Sequence, residues 1–210
     1  AGAGRMIRLD RDGPVWTLTL DRPDKANALT REMLIQIRDA AAEAEQAGLA
    51  ALILTGSGDV FSAGADIEAA RAGLATDGVW EEVSARLARL PFLTVAALNG
   101  TLAGGAFGMA LACDLRLAVP GARFFYPVMA LGFLPQPSDP ARLAALVGPS
   151  RARMLLVAAQ KIDAETALDW GLVDRLSPPA ALLEEARALT EASAAAPEHV
   201  RRTINRMIPG

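Results

Sequence analysis

Cysteine and histidine are nearly absent from this 210-residue sequence, which contains one of each. Cys113 alone cannot form an internal disulfide, so nothing in the chain requires an oxidising compartment, and its apolar neighbours predict a buried residue. A single histidine, His199, argues against a histidine-based metal site and against a Ser–His–Asp triad. His199 belongs to a terminal amphipathic segment, where we expect it to be exposed. No metal site is predicted.

Clusters of basic residues are scarce as well. The formal net charge is −3, and only short arginine groups occur, at 151–153 and 201–202. This pattern argues against nucleic acid as a partner. The uncharged run 91–113 is as long as the roughly 20 residues of a membrane span, but Asn99-Gly100 and Gly104-Gly105 divide it into a strand, a turn and a helix. With no signal-peptide pattern at the start, we expect a cytoplasmic protein without a membrane partner.

Hydrophobic patterning predicts alternating strands and helices around one core, since a single core serves chains of up to roughly 250 to 300 residues. The segments 7–9 and 15–20 predict a hairpin around a glycine-containing turn. Further predicted strands cover 49–55, 115–119 and 124–126, with another beginning at 95. The predicted helices cover 30–47 with Thr30 as its cap, 77–90, 141–147, 151–159, 164–170, 180–194 and 198–207. Periodicity alone therefore indicates an α/β protein.

Two glycine-bearing turns, at 61–67 and 99–106, each follow an apolar strand and lead into a predicted helix. Such turns can direct a backbone N–H toward a ligand oxygen. The N–H groups of Ala65 and Gly105 are the most suitable, and if they converge on one carbonyl they would stabilise an enolate. The second turn also opens a helix, whose N-terminus favours negative charge. Ala65 and Gly105 are therefore the predicted oxyanion hole.

Both turns resemble the signatures of the crotonase (enoyl-CoA hydratase/isomerase) family. The matching stretches are Phe61-Ser62-Ala63-Gly64-Ala65-Asp66-Ile67 and Asn99-Gly100-Thr101-Leu102-Ala103-Gly104-Gly105-Ala106 with Cys113-Asp114, supported by 21–23, 27–29, 52–56 and 167–173. The resemblance implies a crotonase-like spiral of ββα units over residues 1–195 and a short C-terminal helical region over 196–210. It also implies an acyl-CoA substrate that itself carries the coenzyme A, no separate cofactor, and a homotrimer or dimer of trimers.

Family members usually continue some tens of residues past the position of Arg206, in helices that help to close the acyl pocket. The resemblance leaves three alternatives here. The pocket is more open, another subunit covers it, or the sequence is part of a longer one.

Hydratases of the family activate water and protonate the α-carbon with two glutamates, and the isomerases commonly rely on the second. Those positions fall on Gly108 and Val128, neither of which can transfer a proton. Asp139 is a candidate replacement, and the alternative role for it is the N-cap of helix 141–147. Gln136 could hydrogen-bond a substrate. Tyr126 lies two residues before Val128, so on a strand it would share its face and either donate a proton or simply pack.

Three other acidic residues are expected to be structural. Glu81 and Glu82 lie on helix 77–90, a segment from which some family branches recruit catalytic groups, but a solvated helix face is the expected reading. Asp114 matches an acidic position of the family signature and is expected to be buried in structural hydrogen bonds at a strand start.

The resemblance also places the coenzyme A. It implies contacts with Lys25, Ala26 and Ala28 on one side and with Ala63, Ala65, Asp66 and Ile67 on the other. Lys25 is the expected partner of a phosphate because of its charge. Glu68 stands where some members have a lysine, which leaves fewer positive contacts for the nucleotide.

Three functions remain open at this point. The first is an enolate-forming enzyme of the hydratase/isomerase type. The second is decarboxylation of a malonyl-type thioester, which forms an enolate without a base and suits the apolar Val128. The third is a non-catalytic acyl-CoA-binding or partner protein. The sequence does not identify the acyl group.

Overall fold

The computed structural model describes residues 6–208, beginning with an antiparallel hairpin. Strand β1 (Ile7–Asp12) pairs with β2 (Val15–Leu20), and Asp12 lies opposite Val15. Gly13 adopts φ +53° in the turn, a backbone conformation that glycine reaches without steric cost. The predicted hairpin is confirmed.

Helix α1 (Arg31–Ala47) packs its apolar face on the core. The Thr30 hydroxyl oxygen accepts a hydrogen bond from the N–H of Met33 at 3.3 Å, as an N-cap should. Gly48 ends the helix with φ +66°. The predicted helix at 30–47 and its Thr30 cap are confirmed.

Eight further strands complete two sheets. They are β3 (Ala51–Gly56), β4 (Val60–Ser62), β5 (Leu93–Leu98), β6 (Thr101–Ala103), β7 (Leu115–Ala118), β8 (Arg123–Phe125), β9 (Ile162–Asp163) and β10 (Arg175–Leu176). The six-stranded sheet has the order β1-β2-β3-β5-β7-β10 and the four-stranded sheet β4-β6-β8-β9. Three successive strand pairs, β3/β4, β5/β6 and β7/β8, each place one strand in either sheet before a helix follows. This repetition is a spiral of ββα units, so the predicted fold class is confirmed.

Ten helices after α1 are found within residues 6–208. They are α2 (Ile67–Arg71), α3 (Val79–Ala88), α4 (Phe107–Ala112), α5 (Val128–Leu131), α6 (Asp139–Val147), α7 (Pro149–Leu156), α8 (Ala164–Asp169), α9 (Leu182–Ala188), α10 (Glu191–Ala195) and α11 (Glu198–Met207). The predicted helix 180–194 is divided into α9 and α10. The Thr190 hydroxyl donates to the carbonyl of Arg187 at 2.7 Å, a local bond that competes with continued helix.

The prediction that Tyr126 and Val128 share one face of a strand is wrong. Strand β8 ends at Phe125, and Val128 begins helix α5. Pro127 lies between them and has no N–H to extend the sheet ladder.

The terminal helix α11 contacts the core mainly through polar groups. The Arg201 guanidinium donates to the carbonyl of Gly48 at 3.1 Å, and His199 is exposed as expected. Division of the chain at residues 195 and 196 stays a prediction, and residues 1–5 and 209–210 of the two predicted parts lie outside the described residues. Among residues 6–208, no helix combines the length and apolar character that a membrane crossing requires.

The side chain of Asn27 connects neighbouring loops through hydrogen bonds. Its backbone adopts φ +51° and its side chain is fully buried. The amide nitrogen donates to the carbonyls of Ser57 at 2.9 Å and Val60 at 2.7 Å, and the amide oxygen accepts from the N–H of Arg22 at 2.8 Å. One side chain therefore satisfies three backbone groups from separate segments.

Replacement of Asn27 by alanine should lower the free energy of unfolding by several kcal/mol, because each buried group left without a partner costs about 1 to 3 kcal/mol. Urea denaturation of the wild type and of Asn27→Ala measures this loss. Gln36→Ala, at an exposed position of α1, is the control, with little expected change. Equal losses in the two variants would contradict the role assigned to Asn27.

Candidate active site

The turn after β4 is built around Gly64, which adopts φ +93°. The N–H of Gly64 donates to the Ser62 hydroxyl oxygen at 3.1 Å, and that hydroxyl donates to the carbonyl of Asn27 at 2.8 Å. A Cβ at Gly64 would lie 3.0 Å from the carbonyl oxygen of Ala103 and 3.4 Å from the Cα of Gly104. Only glycine permits this approach, and it brings the two predicted turns into direct contact.

The turn after β6 continues through one 3-10 turn, residues Gly104–Ala106, into helix α4. N–H groups at the start of a helix have no acceptor within it, so the N–H of Gly105 is available to a ligand. In the first turn, Asp66 donates its N–H to the carbonyl of Leu29 at 2.8 Å. The N–H of Ala65 makes no such bond within residues 6–208.

Both turns border one cavity of about 350 Å³. Its wall consists mainly of apolar side chains and glycine backbone. The lining residues are Ala63, Ala65, Ile67, Ala70, Arg71, Ala75, Trp80, Ala103, Gly104, Gly105, Phe125, Tyr126, Pro127, Val128, Leu131, Phe133, Leu134 and Gln136. The structure therefore brings Ala65 and Gly105 to the same cavity, as the sequence predicts.

Asp139 is fully buried behind this cavity, although it does not line it. Its carboxylate Oδ2 accepts a hydrogen bond from the Tyr126 hydroxyl at 2.8 Å, while Oδ1 has no partner within residues 6–208. Asp139 is the first residue of α6, whose N-cap is Ser138. The N-cap alternative for Asp139 is therefore wrong, because the carboxylate points to Tyr126 and caps no N–H.

The Asp139 carboxylate lies beside Gly108, the residue that the family resemblance places at the first glutamate position. A Cβ at Gly108 would be 3.1 Å from Asp139 Oδ1 and would clash with Gln136 Oε1. Gln136 Oε1 is buried and, like Asp139 Oδ1, has no partner within the described part of the chain. The Gln136 amide nitrogen donates to the carbonyl of Gly105 at 3.1 Å, which fixes the orientation of the side chain. The Asp139 carboxylate of α6 thus lies in the space beside Gly108, which has no side chain to fill it.

Burial determines the protonation states of Asp139 and Tyr126. Removal from water raises the pKa of Asp139 to about 7, outweighing the Tyr126 hydrogen bond and the positive charge of Arg142, which both lower it. Burial and the neighbouring Asp139 carboxylate also raise the pKa of the Tyr126 phenol well above its ordinary range. Asp139 can therefore exchange a proton near neutral pH, whereas Tyr126 stays neutral.

Glu81 is not the solvated residue that the sequence predicts. Its carboxylate accepts hydrogen bonds from the N–H of Ser138, at 3.2 Å, and from the Ser138 hydroxyl. These contacts tie α3 to the start of α6, a tertiary contact that the spacing of α3 does not show. Glu82 is solvated as expected and pairs with Arg38 at 2.8 Å on the surface.

The loop 25–28 contacts the first turn, so the two predicted sides of the coenzyme A site adjoin each other. The N–H of Ala63 donates to the carbonyl of Ala26 at 3.0 Å. Arg22 joins the two segments, donating at 2.9 Å both to the carbonyl of Ala28 and to the Asp66 carboxylate.

The predicted coenzyme A residues differ in their access to the cavity. Ala63 and Ile67 line it together with Tyr126 and Gln136, whereas Lys25, Ala26, Ala28 and Asp66 do not. Lys25 is exposed beside the first turn. The Asp66 carboxylate caps α2 by accepting from the N–H groups of Glu68 and Ala69, and these bonds and Arg22 lower its pKa. The Asp66 carboxylate is thus already hydrogen-bonded within the protein.

Cys113 and Asp114 lie away from the cavity. Cys113 is buried as predicted, and burial raises the pKa of its thiol to about 12. The Asp114 carboxylate accepts from the N–H of Thr94 at 2.8 Å, but the residue is exposed, so only the predicted hydrogen bonding is confirmed.

Trp80 and Arg71 line the cavity without having been singled out from the sequence. The indole N–H of Trp80 donates to the carbonyl of Leu74 at 2.8 Å, and its ring would lie 3.1 Å from a Cβ at Gly105. Neither belongs to a motif. The apolar spacing of α3 marks Trp80 as a core residue only.

Comparison with known proteins agrees with this geometry. A sequence model described as enoyl-CoA hydratase/isomerase matches residues 10–208. A probable enoyl-CoA hydratase of Mycobacterium tuberculosis is 31% identical over 200 residues, covering 95% of this chain and 82% of that protein. A 4-chlorobenzoyl coenzyme A dehalogenase of Arthrobacter is 32% identical over 212 residues, covering 96% and 77%.

A solved structure also superposes on nearly the whole chain. The crystal structure of a protein of the enoyl-CoA hydratase/isomerase family from Hyphomonas neptunium matches with a TM-score of 0.89 at 30% identity, over 97% of this chain and 81% of that one. The chain belongs to the enoyl-CoA hydratase/isomerase family and is an enzyme of that acyl-CoA-using family.

The raised pKa of Asp139 predicts a pH-dependent stability. Between about pH 4 and pH 7 the native protein keeps a proton that the unfolded chain has lost, so the free energy of unfolding should fall as the pH rises through this window. A shift from 3.8 to about 7 corresponds to a loss on the order of 4 kcal/mol. Asp139→Asn cannot ionise and still accepts the Tyr126 hydrogen bond.

Urea denaturation of both proteins at pH 4.5, 6 and 8 isolates the contribution of Asp139. The variant should be the more stable protein at pH 8, with the difference shrinking toward pH 4.5. Parallel pH profiles for the two proteins would show that Asp139 is ionised at its ordinary pKa.

Proposed function

We propose that this protein forms and protonates the enolate of an acyl-CoA thioester, with the N–H groups of Ala65 and Gly105 as its oxyanion hole. The main support is the buried Asp139 carboxylate beside Gly108, which accepts a hydrogen bond from Tyr126, a residue that lines the same cavity as the two turns. A thioester oxygen between the two N–H groups would receive the charge that develops when the α-carbon loses its proton.

The proton passes between substrate and Asp139 through Tyr126. Tyr126 lines the cavity and donates to Asp139, which does not reach the cavity itself. On enolisation, the α C–H bond breaks and its electron pair moves to the thioester oxygen. The proton goes to the Tyr126 oxygen as the phenolic proton moves to Asp139. Reversal of these transfers protonates the enolate, as in an isomerisation or at the end of a hydration.

The remaining contacts belong to the same proposal. Ala63 and Ile67 bind the coenzyme A from the cavity side, and Lys25, Ala26, Ala28 and Asp66 form or support the adjoining surface. Gln136 hydrogen-bonds the acyl group. The coenzyme A arrives with the substrate, and no separate cofactor takes part. The cytoplasmic location also stays a prediction.

A homotrimer or a dimer of trimers is proposed for the assembly. Exposed apolar side chains of α5 and the segment after it support self-association, since Met129, Leu131 and Leu134 are 56%, 63% and 88% exposed. Ile204 and Met207 of α11 are exposed as well.

Replacement of either Asp139 or Tyr126 should strongly reduce turnover if the proton passes between the substrate and Asp139 through Tyr126. Crotonyl-CoA and a 3-enoyl-CoA are assayed at the conjugated-thioester absorbance with the wild type, Asp139→Asn and Tyr126→Phe. Positioned acid–base groups contribute about 10² to 10⁴ in rate, so both variants should lose activity on that scale. Asp169→Asn removes an exposed carboxylate and should retain activity.

Two other results would replace the proposal. Loss of carbon dioxide from malonyl-CoA or methylmalonyl-CoA by all four proteins, without enoyl-CoA turnover, would establish the decarboxylation alternative. Thermal stabilisation by acyl-CoA thioesters without any turnover would establish a non-catalytic acyl-CoA-binding protein.

The oxyanion hole is tested by a matched pair at Gly105. Gly105→Pro removes the N–H, whereas Gly105→Ala keeps it, and both place a Cβ 3.1 Å from the Trp80 ring. Relative to the alanine variant, the proline variant should lose about 10² to 10³ in kcat. Melting temperatures of the two folded variants serve as the control for general damage. Equal kcat values in the two would contradict a role for this N–H.

A further inference from the structure

Arg71 is the one charged side chain among the residues that line the cavity. It is the last residue of α2 and lies one turn after Ile67, which also lines the cavity. Around it the wall is apolar, with Ala70, Ala75 and Leu134 among the lining residues. Arg71 is exposed at the cavity, and its charge is poorly matched to a purely hydrocarbon ligand.

The Arg71 guanidinium has no acidic partner within residues 6–208, since none of the ion pairs found there involves it. The nearby carboxylates of Asp66 and Asp77 are engaged by Arg22 and Arg31, at 2.9 and 2.8 Å. The donors of Arg71 are therefore available to an anion from outside the protein.

The cavity also lacks an acidic lining residue that would repel such an anion. Asp139 is sealed behind Tyr126 and Gln136, and Glu81 is bound to Ser138. A carboxylate suits the planar fork of an arginine, and the apolar lining beside Arg71 offers no competing acid. The first turn, with Ala65, directly precedes α2, and Ile67 and Arg71 are separated by about 6 Å along the axis at about 1.5 Å per residue. The oxyanion turns and Arg71 line the same cavity, so an acyl chain bound there lies between them.

We propose that Arg71 selects acyl groups that end in a second carboxylate, so that the preferred substrates are monothioesters of short dicarboxylic acids. This inference rests on the proposed acyl-CoA function. A phosphate of coenzyme A has the same anionic chemistry and is the competing ligand. Both Arg71 and the predicted phosphate partner Lys25 are exposed, but only Arg71 lines the cavity, which favours the acyl carboxylate.

The test uses saturated thioesters, so that binding is measured without turnover. Isothermal titration calorimetry compares glutaryl-CoA, its neutral analogue hexanoyl-CoA, and coenzyme A alone, on the wild type and on Arg71→Gln. Arg89→Gln removes an exposed arginine that does not line the cavity and is the matched control. The wild type should prefer glutaryl-CoA. Arg71→Gln should weaken glutaryl-CoA binding by about tenfold or more, as expected for hydrogen bonds to a charged group.

In that variant the affinities for hexanoyl-CoA and coenzyme A should stay unchanged, and Arg89→Gln should behave as the wild type. Equal weakening of all three ligands in Arg71→Gln would assign the residue to a phosphate and overturn the inference. Wild-type binding of both thioesters without preference would also overturn it, leaving the proposed function intact. Binding of no thioester by the wild type would instead reject the acyl-CoA function itself.

Discussion

Direct contact between the backbones of Gly64 and Gly104 is the constraint on which the candidate site depends. Each glycine has a positive φ, and a Cβ on Gly64 would meet Ala103 and Gly104. The contact is possible because β4 and β6 are adjacent parallel strands, so their ends lie at one edge of the four-stranded sheet. The spiral topology thus places Ala65 and Gly105 at one cavity, although about 40 residues separate them in sequence.

The acidic group lies behind this cavity and belongs to a different element. Gly108 on α4 has no side chain, and the Asp139 carboxylate of α6 fills the adjoining space with Gln136. Burial without a cation at hydrogen-bond distance raises the pKa of Asp139, and the same burial keeps the Tyr126 phenol neutral. One physical cause, removal from water, therefore gives the two groups the protonation states that a proton transfer needs.

Features that depend on local sequence could be predicted from it. Thr30 caps α1 and Gly13 turns the hairpin, because each depends on a few neighbouring residues. That Ala65 and Gly105 meet at one cavity depends on the spiral topology, and it could be expected only from the resemblance of both turns to the family signatures. Features that depend on tertiary contacts could not. The partner of Asp139 is Tyr126, thirteen residues earlier, and the partner of Glu81 is Ser138. Strand β8 ends before Pro127, so Tyr126 and Val128 do not share one face of a strand as expected. Arg71 belongs to no motif and is exposed like other arginines, so only the folded structure shows that it lines the cavity.

Trp80 and Glu81 are consecutive residues with different neighbours. The Trp80 ring forms part of the cavity wall beside Gly105, while the Glu81 carboxylate holds the first residues of α6, next to Asp139. Two consecutive residues of helix α3 thus contact the cavity on one side and the start of α6, next to Asp139, on the other. Because consecutive residues share one backbone, the width of the cavity at Gly105 and the position of the first residues of α6 are set by the same stretch of α3.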